Sequence, residues 1–226
     1  MKARTAESLY RRQTRTIVAA YGLAGHVFRQ RRMNRFAERF RPTDATTILD
    51  VGGTPQTWFR LPVCPQVTIL NLKIAEDEQQ LPAGMSLTIG DATRLPFADR
   101  SFDIAFSNSV IEHVGGFAAQ AKMAAELRRV AASFYLQTPA RRFFVEPHYM
   151  TPFVHWLPRS AQRRILRNFS LWGWITRPSQ SYVDEVVSSV RLLSRRELQS
   201  LFPDGVVAPE RVLGLTKSWT VVRAGS

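Results

Sequence analysis

One stretch of the chain, Ile48-Leu49-Asp50-Val51-Gly52-Gly53-Thr54, places a carboxylate and a pair of glycines at the end of a short apolar run. An apolar run of this length is typical of a buried strand, and glycines let the backbone turn sharply and come close to a ligand. A nucleotide-like cofactor is the ligand that this arrangement favours. A plain turn after a strand has the same local pattern. The stretch therefore indicates a cofactor site only in combination with the neighbouring apolar segments.

Three more apolar runs come later in the chain, and each of them also ends in small or polar residues. The runs end in Asn71, in Gly90-Asp91-Ala92 and in Asn108-Ser109. In an open α/β sheet the carboxyl ends of the parallel strands form a crevice in which ligands bind. The spacing therefore predicts that these residues meet Asp50 and the glycines at one edge of a sheet.

Several of these segments together resemble the class I S-adenosylmethionine-dependent methyltransferases, of the small-molecule type with a methyltransferase-11-like domain. The resemblance covers residues 45–140 and is carried by Leu49-Asp50-Val51-Gly52-Gly53, Gly90-Asp91-Ala92, Leu95-Pro96-Phe97, Ser101-Phe102-Asp103 and Ser109-Val110-Ile111-Glu112-His113-Val114. It implies an α/β fold, namely a Rossmann-like, doubly wound, mostly parallel seven-stranded sheet. Its last two strands, at 206–213 and 218–223, form a hairpin, and the final strand is antiparallel to the rest.

The resemblance also implies that S-adenosyl-L-methionine is the cofactor. It places the methionine end of the cofactor against the loop of Gly52 and Gly53, with Asp50 fixing that loop or the cofactor's amino group. The remaining implied cofactor contacts are Asn71 to the ribose, Leu72 to the adenine face, Asp91 to the adenine amine, the backbone of Ala92 to the ring, and Asn108 and Ser109 near the methyl group.

Two residues depart from the family pattern. The second glycine of the usual Gly-x-Gly is displaced, because the chain reads Gly52-Gly53-Thr54. Asn71 stands where most members have an acid that accepts hydrogen bonds from both ribose hydroxyls. An amide accepts through its oxygen and donates through its nitrogen, without the strength of a charge. On this pattern Asn71→Asp is expected to leave cofactor binding intact or to tighten it.

Methyl transfer is an in-line displacement that needs alignment, exclusion of water and, for a weak nucleophile, a base. The candidate catalytic residues are His113, His148 and Tyr149. Packing beside the cofactor is the alternative role for His113, and fixing a local turn is the alternative for the other two. The sequence has no Cys/His cluster with metal-binding spacing, so no metal is predicted.

The chain divides into an N-terminal basic helical segment, residues 1–42, and a methyltransferase domain, residues 43–226. The N-terminal segment contains two predicted helices, at 5–24 and 27–41. Residues 138–193 form an insertion with nine of the chain's 24 aromatic residues. We expect these aromatics to be buried and the insertion to fold over the sheet edge as a substrate lid.

The net charge of +13 is concentrated in two segments. Residues 1–42 contain eleven Lys and Arg against two acids, and residues 140–180 contain seven arginines against Glu146 alone. Such asymmetry indicates an anionic partner, namely phosphate, nucleic acid or a lipid surface, although a solvated basic face is equally compatible. The stripe of Met33, Phe36 and Phe40 on the second helix fits either docking on the core or peripheral contact with an anionic membrane.

Methyl transfer to a small, apolar or amphiphilic anionic acceptor, with a lipid-linked acceptor as one form, is the function that these features favour. A nucleic-acid methyltransferase and a non-catalytic cofactor-binding protein of the same fold are the alternatives. A nicotinamide dehydrogenase fits poorly, because the G-x-G-x-x-G spacing is missing. The single cysteine, Cys64, and the absence of an apolar signal segment predict a cytoplasmic protein, with membrane association left open.

Overall fold

The computed structural model of the protein describes residues 27–73, 81–143, 145–146 and 151–225. The predicted helix at 5–24 and the candidate residues His148 and Tyr149 lie outside these ranges. Within them the main sheet has seven strands in the order β3-β2-β1-β4-β5-β9-β8. The strands of the structure are β1 (Thr47–Val51), β2 (Gln66–Asn71), β3 (Met85–Ile89), β4 (Phe102–Asn108), β5 (Ala131–Pro139), β6 (Val145–Glu146), β7 (Thr151–Pro152), β8 (Val206–Val212) and β9 (Leu215–Arg223).

The pairing of the strands confirms the predicted fold class. β1 to β5 pair in parallel, whereas β9 is antiparallel to both β5 and β8. The final strand is therefore the antiparallel member of a mostly parallel sheet. The short strands β6 and β7 form a separate hairpin inside the insertion.

Helices cover both faces of the sheet, as the doubly wound prediction requires. They are α1 (residues 27–40), α2 (Pro55–Trp58), α3 (Phe117–Val130), α4 (Arg159–Phe169), α5 (Leu171–Thr176), α6 (Gln180–Ser189) and α7 (Arg195–Leu201). Side chains alternate between the faces along each strand. Leu49 and Val51 thus pack against α3 and α7 on one face, while Ile48 packs against α1 and α2 on the other.

Helix α1 docks on the sheet through its aromatic stripe. Met33 and Phe36 are buried, and the Phe36 ring makes edge contacts with Trp58, Phe106 and Tyr135. Aromatic side chains dominate the burial of apolar area in a core. The stripe therefore belongs to the hydrophobic core, and the division of the chain at residue 42 stays a prediction.

The insertion begins later than predicted, because Thr138 and Pro139 still pair with β9. It has a small core of its own made of Val154, Leu166, Val183 and Val187. The expected burial of its aromatics is wrong for five of them, since Phe153, Trp156, Phe169, Trp174 and Tyr182 are each more than half exposed. The packing of α4 against α6 uses aliphatic side chains instead, which leaves these rings at the surface.

No helix in the described ranges is long and apolar enough to span a membrane.

Candidate functional site

The two glycines after β1 occupy positions that a side chain would not fit. Gly52 has a φ of +75°, and a Cβ there would lie 2.4 Å from Cγ2 of Val110. A Cβ on Gly53 would lie 1.8 Å from Oδ2 of Asp50. The loop therefore needs both glycines, and it presents bare backbone at the carboxyl edge of the sheet.

Asp50 lies beneath this loop and is fully buried. Its Oδ2 accepts a hydrogen bond of 2.8 Å from the indole nitrogen of Trp58 in α2. Burial raises the pKa of Asp50 to about 7, although the Trp58 hydrogen bond acts in the opposite direction. Asp50 thus links Trp58, the last residue of α2, to the end of β1 beneath the glycine loop.

Asn71 lies at the end of β2 and contacts the same loop. Its Nδ2 donates a hydrogen bond of 3.1 Å to the carbonyl oxygen of Gly53. Leu72 comes next, with 74% of its surface exposed. The structure therefore brings Asn71 to the glycine loop and leaves Leu72 as an open apolar surface at the edge, where an adenine ring could pack.

Asp91 and Ala92 lie just beyond the end of β3. Oδ1 of Asp91 accepts hydrogen bonds from the backbone nitrogen and the hydroxyl of Thr93, at 2.8 and 2.9 Å. These bonds orient the exposed Asp91 carboxylate, and its other oxygen is available to accept from a ligand. Ala92 is buried beside it in the core.

Asn108, at the end of β4, is held by Arg32 of α1, which forms a buried ion pair with Glu210 of β8. Its Oδ1 accepts from Nη1 of Arg32 at 2.9 Å, while Nη2 of Arg32 donates to Oε2 of Glu210 at 3.0 Å. Ser218 also donates to this Glu210 oxygen, at 2.5 Å. Burial raises the pKa of Glu210, but the charge of Arg32 and the hydrogen bonds lower it by more than burial raises it. The pKa of Glu210 therefore lies below its usual value.

The predicted methyl-end residue Ser109 adopts a left-handed backbone with a φ of +59°. Its hydroxyl donates to Oε1 of Gln137 at 2.9 Å, and its backbone nitrogen donates to the Gln137 carbonyl. A non-glycine residue in this region is uncommon and is often found at functional sites. Ser109 thus sets the exit of the chain from β4 at the expected edge.

His113 ends a short 3-10 turn, Ile111–His113, and its side chain is exposed. Glu112 beside it is buried, and its Oε2 accepts from the hydroxyl of Thr138 at 2.8 Å. This turn is fixed to the body of the protein, since the carbonyl of Ile111 accepts from Gln120. His113 thus lies in the segment that follows β4.

A cleft of about 1560 Å³ lies between the insertion, the end of β5 and the start of α7. Six of its described lining residues are arginine and none of them is Asp or Glu. The arginines are Arg141, Arg142, Arg159, Arg191, Arg195 and Arg196. Trp156, Leu157 and Trp219 provide an apolar part of the wall, so the cleft combines positive charge with apolar surface.

Comparisons with known proteins agree with this geometry. A family model described as a methyltransferase domain matches residues 63–133. A search of curated proteins gives no significant match.

Solved structures with the same fold are distant in sequence. Phosphoethanolamine N-methyltransferase 2 from Haemonchus contortus, in complex with S-adenosyl-L-methionine, is 13% identical with a TM-score of 0.52, over 77% of this chain and 37% of that one. A putative methyltransferase from Haloferax volcanii, in complex with the Trm112 activator, is 12% identical with a TM-score of 0.50, over 84% and 87%. A protein from Rhodobacter sphaeroides described as a putative Zn-dependent alcohol dehydrogenase is 12% identical with a TM-score of 0.51, over 80% and 84%.

The seven strands form a Rossmann-like domain, and its carboxyl edge is the place where sheets of this type bind ligands. The antiparallel last strand and the glycine loop agree with the methyltransferase-domain model that matches residues 63–133. Among the described residues no group of three His, Cys, Asp or Glu side chains could hold a metal ion.

Three parts of this region are not indicated by the sequence pattern. Trp58, which holds Asp50, reads as an apolar residue of a short helix, and Arg32 reads as one of many basic residues on α1. The arginine cleft joins residues from three separate segments. The charge of residues 140–180 is a partial signal for it, but that signal does not include Arg195 and Arg196.

Proposed function

We propose that this methyltransferase acts on a small, partly apolar, anionic acceptor that binds in the arginine cleft. The observation behind this proposal is the composition of the cleft, which is lined by six arginines and two tryptophans. A ligand pocket is usually apolar with a few polar groups that fix orientation, and arginine is suited to carboxylate and phosphate. The arginines can thus attract the charge of the acceptor, while the tryptophans pack against its apolar part.

The position of the cleft supports this assignment. Asn108 at the end of β4 pairs with Gln137 of β5, and Ala140, three residues after Gln137, lines the cleft. Arg191, another lining residue, donates through its backbone to the carbonyl of Glu112 at 2.8 Å. One lining residue, Arg191, is therefore bonded to the segment after β4, and the resemblance places the methyl group at the start of that segment.

S-adenosyl-L-methionine supplies an electrophilic methyl group on a sulfonium. In the proposed reaction a lone pair of the acceptor forms the new bond to the methyl carbon, and the electron pair of the broken carbon–sulfur bond stays on sulfur. The cofactor residues that we propose are Asp50, Gly52, Gly53, Asn71, Leu72, Asp91, Ala92, Asn108 and Ser109. If the acceptor atom is protonated, a base takes the proton, and His113, His148 and Tyr149 remain the proposed candidates.

Methyl transfer to extract fractions with labelled cofactor tests the proposal. Fractions of small molecules are separated by anion exchange, and label is expected in the retained fraction. The double variant Arg141→Gln, Arg142→Gln should lose transfer while keeping its affinity for the cofactor. Arg164→Gln with Arg167→Gln is the matched control, because these exposed arginines of α4 do not line the cleft.

Label in nucleic acid, or only in unretained neutral molecules, would contradict the proposal. A nucleic-acid acceptor is the main alternative on charge grounds.

We also propose a cytoplasmic location, which the single, exposed Cys64 supports. Peripheral membrane contact through the basic N-terminal segment is proposed only for a lipid-linked acceptor.

A further inference from the structure

The guanidinium groups of five arginines in the cleft have no hydrogen bond or ion pair to any residue in the part of the chain that the structure describes. They are Arg141, Arg142, Arg159, Arg195 and Arg196, and all five are exposed. Arg191 differs from them, because its guanidinium donates to Gln120 at 2.7 Å and to Glu197 at 2.5 Å. Arg191 thus supports the wall, whereas the other five present their charge to the cleft.

The number of these charges indicates how much negative charge a ligand of the cleft carries. A cavity wall of one charge sign concentrates counter-ions, and a monocarboxylate would neutralise only one of five guanidinium groups. A phosphoryl group carries up to two negative charges and three acceptor oxygens, and guanidinium binds it in a bidentate manner. From the number of these groups on the wall of one cleft we infer that the cleft binds a phosphoryl or diphosphoryl group of the acceptor.

This inference rests on the proposed function only in assigning the group to the methyl acceptor. The phosphoryl group could belong to a soluble metabolite or to a lipid headgroup, since the recognition chemistry is the same. The apolar wall bears on the rest of the ligand, because Trp156 is 53% exposed and Leu157 is 39% exposed at the cleft. An apolar chain attached to the phosphoryl group would cover both side chains.

Isothermal titration of the full chain with inorganic pyrophosphate, and separately with acetate, tests the binding without any methyl transfer. We expect pyrophosphate to bind and acetate to bind at least about tenfold more weakly, because hydrogen bonds to a more highly charged group are stronger. The double variant Arg195→Gln, Arg196→Gln should weaken pyrophosphate binding by about tenfold or more. It keeps Ser194 and Glu197, the capping box of α7, so the helix start is preserved.

The control variant Arg164→Gln, Arg167→Gln removes the same charge from outside the cleft and should bind pyrophosphate like the wild type. Equal binding of acetate and pyrophosphate, or equal weakening in both double variants, would overturn the inference. If the Arg195 and Arg196 variant has lost its thermal unfolding transition, Arg141→Gln with Arg142→Gln replaces it in the same titration.

Co-sedimentation with vesicles separates the two sources of the phosphoryl group. Phosphatidylcholine vesicles that contain phosphatidic acid should retain the wild type and the control, and release the cleft variant, if the source is a lipid. Pyrophosphate binding without vesicle retention indicates a soluble source. Failure of both pyrophosphate and phosphatidic acid to bind overturns the inference but leaves methyl transfer to another anion standing, whereas failure of transfer with intact pyrophosphate binding overturns the proposed function.

Discussion

The side-chain amide of Asn71 donates a hydrogen bond of 3.1 Å to the carbonyl oxygen of Gly53, and it thereby ties the end of β2 to the loop after β1. Gly53 in turn lies directly over the carboxylate of Asp50. The two strand ends thus hold the loop from two sides. Asn71 is consequently a positioning residue for the loop in addition to being a candidate ribose contact.

This contact reverses the expectation for Asn71→Asp. A carboxylate has no donor for the Gly53 carbonyl and would place a negative charge beside that oxygen. We expect the variant to bind S-adenosyl-L-methionine more weakly, by about 1–3 kcal/mol, the cost of a lost hydrogen bond with an unsatisfied partner. Asn71→Ala is the control that removes the donor without adding charge. Tighter binding of the Asp variant in a titration would show that ribose recognition outweighs the loop contact.

Asp91 gives a second test, in which turn stability and cofactor binding can be separated. Asp91→Asn keeps an oxygen for the two hydrogen bonds from Thr93, but it places an amide donor where the free carboxylate oxygen would accept from the adenine amine. We expect unchanged thermal stability and cofactor affinity lower by about 1–3 kcal/mol. Asp91→Ala should lose both the turn and the affinity. Cofactor affinity equal to wild type in both variants would remove Asp91 from the site.

The sheet is predictable from the sequence because strand composition and strand-end chemistry repeat at regular intervals. β1 contains the apolar run before Gly52, and β2 and β4 end at Asn71 and Asn108, where the apolar runs of the sequence end. The capping box of Ser194 and Glu197 also follows from the sequence spacing, since both of its hydrogen bonds are local. Local patterns of this kind can be recognised without information about residues that are distant in the sequence.

Long-range pairing is what the sequence pattern does not show. Arg32 and Glu210 are separated by 178 positions, so no local spacing indicates their contact. The aromatic residues of the insertion mislead for a related reason, because their composition predicts burial while the core of that segment is aliphatic. The cleft likewise depends on how α7 is placed beside the insertion.

The buried Asp50 makes stability depend on pH with a defined sign. The folded pKa is about 7, whereas an unfolded Asp titrates near 3.9. Between these values the folded protein holds a proton that the unfolded chain has released, so the free energy of unfolding falls as the pH rises from about 4 to about 7. The expected total from this group is about 4 kcal/mol at most.

Asp50→Asn should remove this component of the pH dependence, while its amide oxygen still accepts from Trp58. Urea unfolding at pH 5 and pH 7.5 measures the effect in both proteins. The same slope in the variant and the wild type would mean that another group causes it. Gly53→Ala serves as a structural check, since its Cβ would collide with Asp50 and the variant should then lose stability at every pH.

The pair of Arg32 and Glu210 joins α1 to the far edge of the sheet, and it is nearly inaccessible to water. The side chains are 9% and 3% exposed, and Arg32 also donates to Asn108. Removing one partner of a buried pair leaves the other charge without compensation, which typically costs about 3–5 kcal/mol. An exposed pair would contribute far less.

We therefore expect Arg32→Met to lower the free energy of unfolding by about 3–5 kcal/mol in urea. Adding Glu210→Gln should recover part of the loss, because the buried acid is then neutral and Ser218 can still donate to its oxygen. Arg35→Met, an exposed position on the same helix, is the matched control and should change stability by less than about 0.5 kcal/mol. The double-mutant cycle measures the coupling between the two residues. A coupling near zero would show that α1 is held by Met33 and Phe36 alone, and that Arg32 serves only to orient Asn108.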